Sequence, residues 1–489
     1  MAKRKTGKAK AAPKRKAAGR ARAGVPAGVI ELGDRRELFV DDYLIERLTN
    51  VELRLQKPVP RNVALDHDVP WEGNTSAYHT VFQDGRLFRA YYRGSHYDRA
   101  GYKPVVCYAE SRDGIEWYRP ELGLVSYKGS TRNNIIWDGP GSLDFTPFRD
   151  TNPDCREGEE YKALGSPSAR SREEQALLAF KSPDGVHWSL LSEKPVMDHT
   201  AGTNAFDSQN LAFYEPRRGC YVEYHRDSIY PGGVRYRQIM TCTSTDFRRW
   251  TKPQLLDYGD APLEHLYTNA VTPYYRAPHI YMGFPKRFMP DRRMPGNTVG
   301  GVSDGLFMTS RDGLHFKRWG EAFVPPGPQR RRWGSRNNMT AWGILETASD
   351  LPTAPRELSI FSGEGFFGGE ATRLRRYTLR LDGFVSAKAP LKGGELITRP
   401  FTFDGGALSL NAATSAAGSV RVELQDGDGK ALKGYALRDC DEIYGDYLDR
   451  IVTWKGLADV RGLAGQPVRL RFALSDADLY SLRFTPLPV

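Results

Sequence analysis

The sequence predicts an all-β fold, and three observations support this prediction. A short turn motif recurs along most of the chain, each copy follows a strand-like run, and no segment sustains the apolar spacing of an amphipathic helix. The 489 residues are enough for two or three domains. Hydrophobic residues make up 40% and charged residues 26%, which is typical of a folded globular chain.

The recurring motif is a turn of the form S-x-D-G followed three residues later by an aromatic residue. Its copies are SRDGIEW (111–117), SPDGVHW (182–188), STDFRRW (244–250), SRDGLHF (310–316) and a weaker RLDGF (380–384). Successive copies start 71, 62, 66 and 70 residues apart. Asp-Gly favours a hairpin turn because Gly adopts positive φ, so we interpret the repeat as structural.

Two further strand-like runs precede each turn. The first runs cover 77–83, 144–150, 211–215, 269–275 and 339–346, and the second runs cover 87–94, 160–167, 220–227, 279–286 and 357–364. Each unit therefore consists of four antiparallel strands. Five such units predict a five-bladed β-propeller over 29–390, with part of 38–59 pairing with the last blade to close the ring.

After about residue 390 the pattern changes to alternating apolar and polar residues with turns at DGG and DGDG. About 100 residues of this kind predict a C-terminal β-sandwich over 391–489.

The first 28 residues form a predicted disordered basic tail. Ten Lys or Arg and no acid lie within the first 23 residues, and removing them from the net charge of +11 leaves +1. Nucleic acid is therefore an unfavoured partner, except through the tail.

No apolar region follows the basic residues as in a signal peptide, which predicts a cytoplasmic protein. No apolar run reaches the ~18 residues of a membrane helix, so no membrane partner is predicted. The oligomeric state is left open.

Neither a metal nor a cofactor is predicted. The five cysteines show no C-x-x-C and the nine histidines no H-E-x-x-H. G-x-G-x-x-G, a P-loop and G-x-S-x-G are also missing from the sequence.

The candidate site lies where the first strands of the five units begin, because in a propeller these strands surround the central channel. Polar residues precede each of them in EGNTSAYH, SLDF, FDSQN, EHLYTN and SRNNMT. Glycoside hydrolysis uses paired carboxyl groups, while carboxamides, Arg and aromatic rings bind sugars. The predicted catalytic residues are Asp207, Glu72 and Glu264, with Asp144 in reserve. The predicted substrate-binding residues are Trp71, His79, Arg93, Gln209, Asn210, His265, Tyr267, Asn269, Arg336 and Asn337.

With this arrangement the chain resembles the five-bladed propeller glycosidases of glycoside hydrolase families 32, 43 and 68. A propeller followed by a β-sandwich is closest to family 32. That family has N-D-P-x-G, R-D-P and Glu-Cys motifs, where this chain has HDVPWEG, FRDT and FDSQN. FRDT would point to Asp150, but the repeat places Asp144 on the channel side. The resemblance implies an exo-acting glycoside hydrolase that cleaves oligo- or polysaccharides.

Two alternatives use the same residues. One is a propeller that binds carbohydrate without catalysis. The other is a glycoside phosphorylase, in which Arg336 and His265 supply the phosphate subsite. The basic run at 329–336 is either a solvated loop or a site where Arg330, Arg331 or Arg332 recognises an acidic or sulfated sugar.

Overall fold

The computed structural model describes residues 28–97, 103–167, 176–198, 205–297 and 299–487. Within these ranges the regular structure is almost entirely strand, and the only helical segments are the 3₁₀ turns Pro231–Gly233, Arg330–Arg332 and Arg461–Leu463. The all-β prediction is confirmed. The predicted basic tail lies outside the described residues, apart from Gly28.

The first strands of the chain pair with its C-terminal part. They are β1 (Ile30–Gly33), β2 (Glu37–Leu38), β3 (Ile45–Thr49) and β4 (Glu52–Leu55). The next strand, β5 (Val59–Asp66), pairs instead with the last strand of the fifth unit. Closure by 38–59 is thus corrected, since only Val59 at its end takes part and 60–66 supplies the rest. Strand β5 hydrogen-bonds an edge that would otherwise be open.

The first three units each form one antiparallel sheet whose strands pair in chain order, except that the last strand of the second unit pairs with its third strand. The first contains β6 (Ala77–Asp84), β7 (Leu87–Gly94), β8 (Val105–Ser111) and β9 (Ile135–Trp137). The second contains β10 (Thr146–Arg149), β11 (Tyr161–Gly165), β12 (Ala176–Ser182), β13 (Ser189–Leu190) and β14 (Met197–Asp198). The third contains β15 (Leu211–Glu215), β16 (Cys220–Ile229), β17 (Tyr236–Ser244) and β18 (Gln254–Leu255).

The fourth and fifth units are less regular. The fourth has two sheets, whose strands are β19 (His265–Leu266), β20 (Thr272–Tyr274), β21 (Ala277–Gly283), β22 (Lys286–Met289), β23 (Val302–Gly305), β24 (Met308–Ser310) and β25 (Phe316–Arg318). The fifth joins β26 (Met339–Thr340), β27 (Leu345–Thr347), β28 (Glu357–Glu364) and β29 (Arg373–Arg380) to β5. The predicted strand 339–346 is interrupted at Gly343, whose φ is 119° and whose Cα faces the Val81 carbonyl so closely that a Cβ would clash.

The C-terminal part is built on two long strands that pair along most of their length. Its strands are β30 (Val385–Ala389), β31 (Gly394–Thr398), β32 (Phe401–Phe403), β33 (Ala407–Gln425), β34 (Asp446–Ile451) and β35 (Arg469–Thr485). Strands β33 and β35 shift register between Thr414 and Ser419. A separate buried apolar cluster, which includes Leu396, Phe472 and Phe484, fills this part.

The Ser-x-Asp turns have the same geometry in four units. In each, the Ser Oγ donates to the Asp Oδ1 at 2.9–3.1 Å, and that Oδ1 accepts two backbone N–H bonds. The turn aromatics lie against the preceding unit. Trp188 lies 6.5 Å from Tyr91, and Trp117 lies 5.9 Å from Phe361 of the fifth unit. The second contact places the fifth unit beside the first.

The fifth copy of the turn has a different role. Asp382 is completely buried and binds residues from three parts of the chain: Tyr274 (2.8 Å), Arg276 (2.8 Å), Arg36 (3.2 Å), Asn411 (3.2 Å) and Ser481 (2.9 Å). Burial alone would raise the pKa of this carboxyl, but Arg36 and Arg276 outweigh burial and lower it. Asp382 thus joins the fourth unit to both terminal regions.

Candidate active site

The segment FDSQN joins the third unit to three others. Its hydrogen bonds run from Ser208 Oγ to the Tyr267 carbonyl (2.8 Å), from Gln209 Nε2 to the His79 carbonyl (3.0 Å) and from Asn210 Nδ2 to Asp144 Oδ2 (3.0 Å). Trp342 adds bonds from the fifth unit to the His79 and Val271 carbonyls. The first strands of all five units therefore meet in one place.

Asp207 is the residue of this segment that faces outward. Its side chain is 40% exposed, and its Oδ2 pairs with Arg226 Nη2 at 3.0 Å. Several non-glycine residues nearby have positive φ: Tyr78 (58°), Phe206 (62°), Ala270 (43°), Arg336 (62°) and Asn338 (57°). Strained backbone of this kind is concentrated at functional sites, so the meeting point of the strands is the best candidate.

Around Asp207 lies a set of residues that we call the central cluster. It consists of Tyr78, Arg93, Asp207, Arg226, Arg237, Tyr267, Lys286 and Arg336. Four basic side chains surround the Tyr267 ring, at centroid distances of 3.8 Å (Lys286), 4.8 Å (Arg226), 5.7 Å (Arg237) and 5.9 Å (Arg336). Arg93 lies 4.7 Å from the Tyr78 ring centre. The cluster has five basic side chains and one carboxylate.

These charges change the ionisation of the groups beside them. Burial alone would raise the pKa of the Tyr267 phenol, but Arg336, Arg226 and Arg237 together lower it below its usual value of 10.0. Burial also lowers the pKa of Lys286 well below 10.5, and the same arginines lower it further. The cluster therefore favours a phenolate and a neutral amine more than water does.

Asp144 lies beneath the cluster and is completely buried. Its carboxyl accepts bonds from the Ser166 amide (2.7 Å) and from Asn210 (3.0 Å). Burial raises its pKa well above 3.8, and the Asp207 charge adds to this rise, against the Ser166 bond. Asp144 supports the segment that presents Asp207.

A cavity of about 410 Å³ adjoins the cluster on the side of the fifth unit. Its wall includes Arg330, Arg331, Asn337, Phe366 and Phe367. Arg336 lies above both phenylalanines, 5.4 and 5.6 Å from their ring centres. A cavity of this size is within the range of small-molecule sites.

Two of the predicted catalytic carboxylates lie elsewhere. Glu72 is fully buried, where it accepts bonds from Arg119 (2.9 Å) and Tyr92 (2.6 Å). Glu264 pairs with Arg287 and Arg318. The expected grouping of Asp207 with Glu72 and Glu264 is corrected, because each glutamate is held by arginines outside the central cluster.

Several predicted sugar ligands are instead used within the fold. Gln209, Asn210, Asn269 and Asn337 are buried and hydrogen-bonded to backbone groups. A buried carboxamide needs such partners, so these four act between strands.

The aromatic and histidine candidates separate into two groups. His79 Nε2 is 3.0 Å from His67 Nε2, and burial, followed by the Arg93 charge, lowers the pKa of His79 to about 3. Trp71 donates to Asn134 in the first unit, and His265 stacks on Tyr236 beside the cluster. Arg93, Tyr267 and Arg336 belong to the central cluster itself.

The sequence predictions did not include Tyr78, Arg226, Arg237 and Lys286 among the site residues. One signal was available for Lys286, which is the only Asp, Glu, Lys or Arg residue in the strand-like run HIYMGFPK, whereas Arg226 stands among other charged residues in CYVEYHRD. Buried charges of this type are usually functional or paired.

In the described part of the chain, no group of three or more His, Cys, Asp or Glu residues could hold a metal ion. No helix within the same ranges is both long and apolar enough to span a membrane.

Comparison with known proteins gives structural similarities only. No protein-family model and no curated protein sequence matches the chain. A solved structure named as a glycoside hydrolase is 12% identical, with a TM-score of 0.44 over 66% of this chain and 92% of its own. The catalytic domain of a GH62 α-L-arabinofuranosidase from Coprinopsis cinerea is 8% identical (TM-score 0.42; 66% and 97%). An N-acetylgalactosamine deacetylase from F. plautii, in complex with blood group B trisaccharide, is 14% identical (TM-score 0.41; 69% and 95%). At these scores no likeness identifies the family of this chain.

Proposed function

We propose that the five units are the blades of a five-bladed propeller followed by a β-sandwich, and that the chain is a glycoside hydrolase acting at the central cluster. The observation that carries this proposal is the position of Asp207. It is the partly exposed carboxylate of a cluster to which the first, third, fourth and fifth units contribute, and it stands on a turn that three other units hold in place.

Glycosidases commonly use two carboxyl groups, but a tyrosine replaces one of them in some enzymes. Glu72 and Glu264 are bound elsewhere, so we assign the second role to Tyr267. Arg226 connects the two groups, with its Nη2 3.0 Å from Asp207 and its Cζ 4.8 Å from the Tyr267 ring centre. The lowered pKa of Tyr267 favours the phenolate that such a role requires.

The proposed reaction has two steps. First, the Tyr267 oxygen bonds to the anomeric carbon while the glycosidic C–O bond breaks, and the Asp207 carboxyl group gives a proton to the departing oxygen. Second, Asp207 takes a proton from water, and the water oxygen displaces Tyr267 from the sugar. Both side chains have returned to their starting forms at the end.

The test compares wild type with Asp207→Asn on a panel of aryl glycosides and plant or algal oligosaccharides. Loss of the proton-transfer group is expected to lower kcat/KM about 10²- to 10⁴-fold. Asp260→Asn is the matched control, because Asp260 is an exposed carboxylate in a turn. It should keep full activity.

Three results would contradict the proposal. Full activity in Asp207→Asn would remove Asp207 from the reaction. Sugar binding without turnover of any glycoside would indicate a carbohydrate-binding propeller. Turnover that requires inorganic phosphate and yields a sugar phosphate would indicate a phosphorylase.

A further inference from the structure

The central cluster has more positive charge than its own residues neutralise. Beside five basic side chains there is one carboxylate, Asp207, which pairs with Arg226. Even with Lys286 neutral, four arginines remain. Nearby Asp144 is completely buried and hydrogen-bonded to the Ser166 amide and to Asn210. Buried cations are unfavourable unless a negative group is close, so this arrangement suits a ligand that brings one.

Arg336 is the cation best placed to meet such a ligand. It is half-buried, and its guanidinium makes no hydrogen bond or ion pair with any residue in the described part of the chain. Its contacts are the faces of Tyr267, Phe366 and Phe367, within 5.9 Å of each ring centre. Stacking on rings orients the planar group while leaving its N–H donors available for a planar oxyanion.

Lys286 gives an independent indication. It is completely buried, and its Nζ finds no hydrogen-bond acceptor among the residues that the structure describes. The Nζ lies 3.8 Å from the Tyr267 ring centre, and a buried amine without an acceptor calls for a further partner, either a water molecule or a ligand.

The adjoining cavity has the same sign of charge. Arg330 and Arg331 form part of its wall, and its described lining contains no Asp or Glu. Their guanidinium groups donate to the carbonyls of Pro295, Gly368 and Ala371, which satisfies donors without neutralising charge. Arg332, the third arginine of this run, is buried and pairs with Glu364 at 3.5 Å, so it is excluded from this role.

We propose that the substrate carries an acid group, a carboxylate or a sulfate on the sugar, and that Arg336 binds this group at the entrance to the cavity. The inference rests on the proposed function only in taking the ligand to be a carbohydrate. Arg330 and Arg331 attract the acid group, while Arg226 and Arg237 stabilise it from below.

The experiment measures binding by calorimetry with matched sugar pairs that differ in the acid group. The probes are glucuronate with glucose, galacturonate with galactose, and 6-sulfated galactose with galactose, together with oligosaccharides of each type. At least one acidic member should bind about 10- to 100-fold more tightly than its neutral partner. The carboxylate and sulfate arms identify which acid group is recognised.

Arg336→Met should remove this preference, because it keeps the long side chain but loses the charge and the donors. Arg336→Lys should retain part of it, since a point charge remains. Arg132→Met is the matched control, because Arg132 is 81% exposed in the first unit. Melting temperatures of all variants report whether each one folds.

Equal binding of both members of every pair would overturn the inference, as would a preference that survives in Arg336→Met. Competition by inorganic phosphate together with phosphate-dependent turnover would assign the cations to a phosphate subsite instead. Hydrolysis of neutral glycosides that depends on Asp207 would leave the proposed function standing without the acidic substrate. Tight binding of acidic sugars without hydrolysis would support the acidic ligand and contradict the proposed hydrolase activity.

Discussion

Two regions are built from the same repeat: the Ser-x-Asp turns, and the inner ends, where the first strand of each unit begins. They differ in how uniform their residues are. Four turns share one set of side-chain and backbone bonds. At the inner ends the units instead present Tyr78, Asp144, Asp207, Tyr267 and Arg336, and only the second and third units share a residue type. Uniformity marks the region that holds the units together, and divergence marks the region where we propose that a ligand binds.

This comparison separates stability from activity. Substitutions at the turns should change the free energy of unfolding and leave catalysis unchanged. Substitutions at the inner ends should lower catalysis and leave the free energy of unfolding nearly unchanged.

The largest effect is expected at Asp382, in the fifth copy of the turn. Its buried carboxylate joins the fourth unit to both terminal regions. Asp382→Ala leaves Arg36 and Arg276 without their shared carboxylate, which should lower the free energy of unfolding by about 3–5 kcal/mol. Urea denaturation measures this loss. Asp428→Ala, at an exposed turn of the C-terminal part, is the control. A similar stability for both variants would refute the role of Asp382.

At the inner ends, Tyr267→Phe removes only the phenol oxygen. Under the proposed mechanism kcat should fall about 100-fold or more, equivalent to about 2.7 kcal/mol in the activation barrier. The melting temperature should hardly change, because the ring and its contacts with cations remain. Tyr444→Phe, at an exposed position, serves as the control. Unchanged kcat in Tyr267→Phe would exclude the tyrosine as nucleophile.

Acid should affect the turns through Asp184, Asp246 and Asp312. Burial acts to raise their pKa, but backbone N–H bonds outweigh it, and the pKa of each is lowered from 3.8 to about 2. A pKa lowered on folding contributes stability above pH 3.8, and that contribution disappears as the pH falls to about 2.

The triple variant Asp184→Asn, Asp246→Asn, Asp312→Asn should therefore lose less stability than wild type between about pH 4 and 2. Thermal unfolding at each pH measures the difference, and activity at neutral pH should match wild type. Parallel pH profiles would show that the turn carboxylates do not contribute to stability.

The smallest effect is expected for Glu264→Gln. Gln keeps an oxygen that can accept from Arg287 or Arg318, and because both arginines lie outside the central cluster, kcat/KM should stay within about twofold of wild type. Kinetics on the same substrate as for Asp207→Asn provide the comparison. A large loss of activity would return Glu264 to the reaction.

Local sequence patterns predicted many strands closely. The runs 87–94, 211–215 and 357–364 coincide with Leu87–Gly94, Leu211–Glu215 and Glu357–Glu364, because alternation and turn residues act within a few neighbours. The strand that closes the ring of units was less predictable. The last sheet is completed by 59–66, whereas the sequence predicted part of 38–59, because the choice depends on pairing with a strand more than 300 residues away.

The candidate site was only partly predictable for a similar reason. Asp207 and Gln209 stand in the same polar segment, yet one is exposed and the other is fully bonded to the first unit. Residue type does not distinguish them, because the position of the acceptor on the neighbouring unit decides which side chain is used. Their roles in catalysis and binding remain predictions.

By itself the sequence determined the all-β class, the repeating turns and the place along each unit where polar residues begin, since these depend on local hydrogen bonds and on the spacing of apolar residues. The tertiary structure alone decided which of those polar residues are exposed. It buried Glu72, bound Glu264 to two arginines and gathered Arg226, Arg237 and Lys286 around Tyr267. Electrostatic interactions act through space, and the strands of the third and fourth units must meet before these charges can sum.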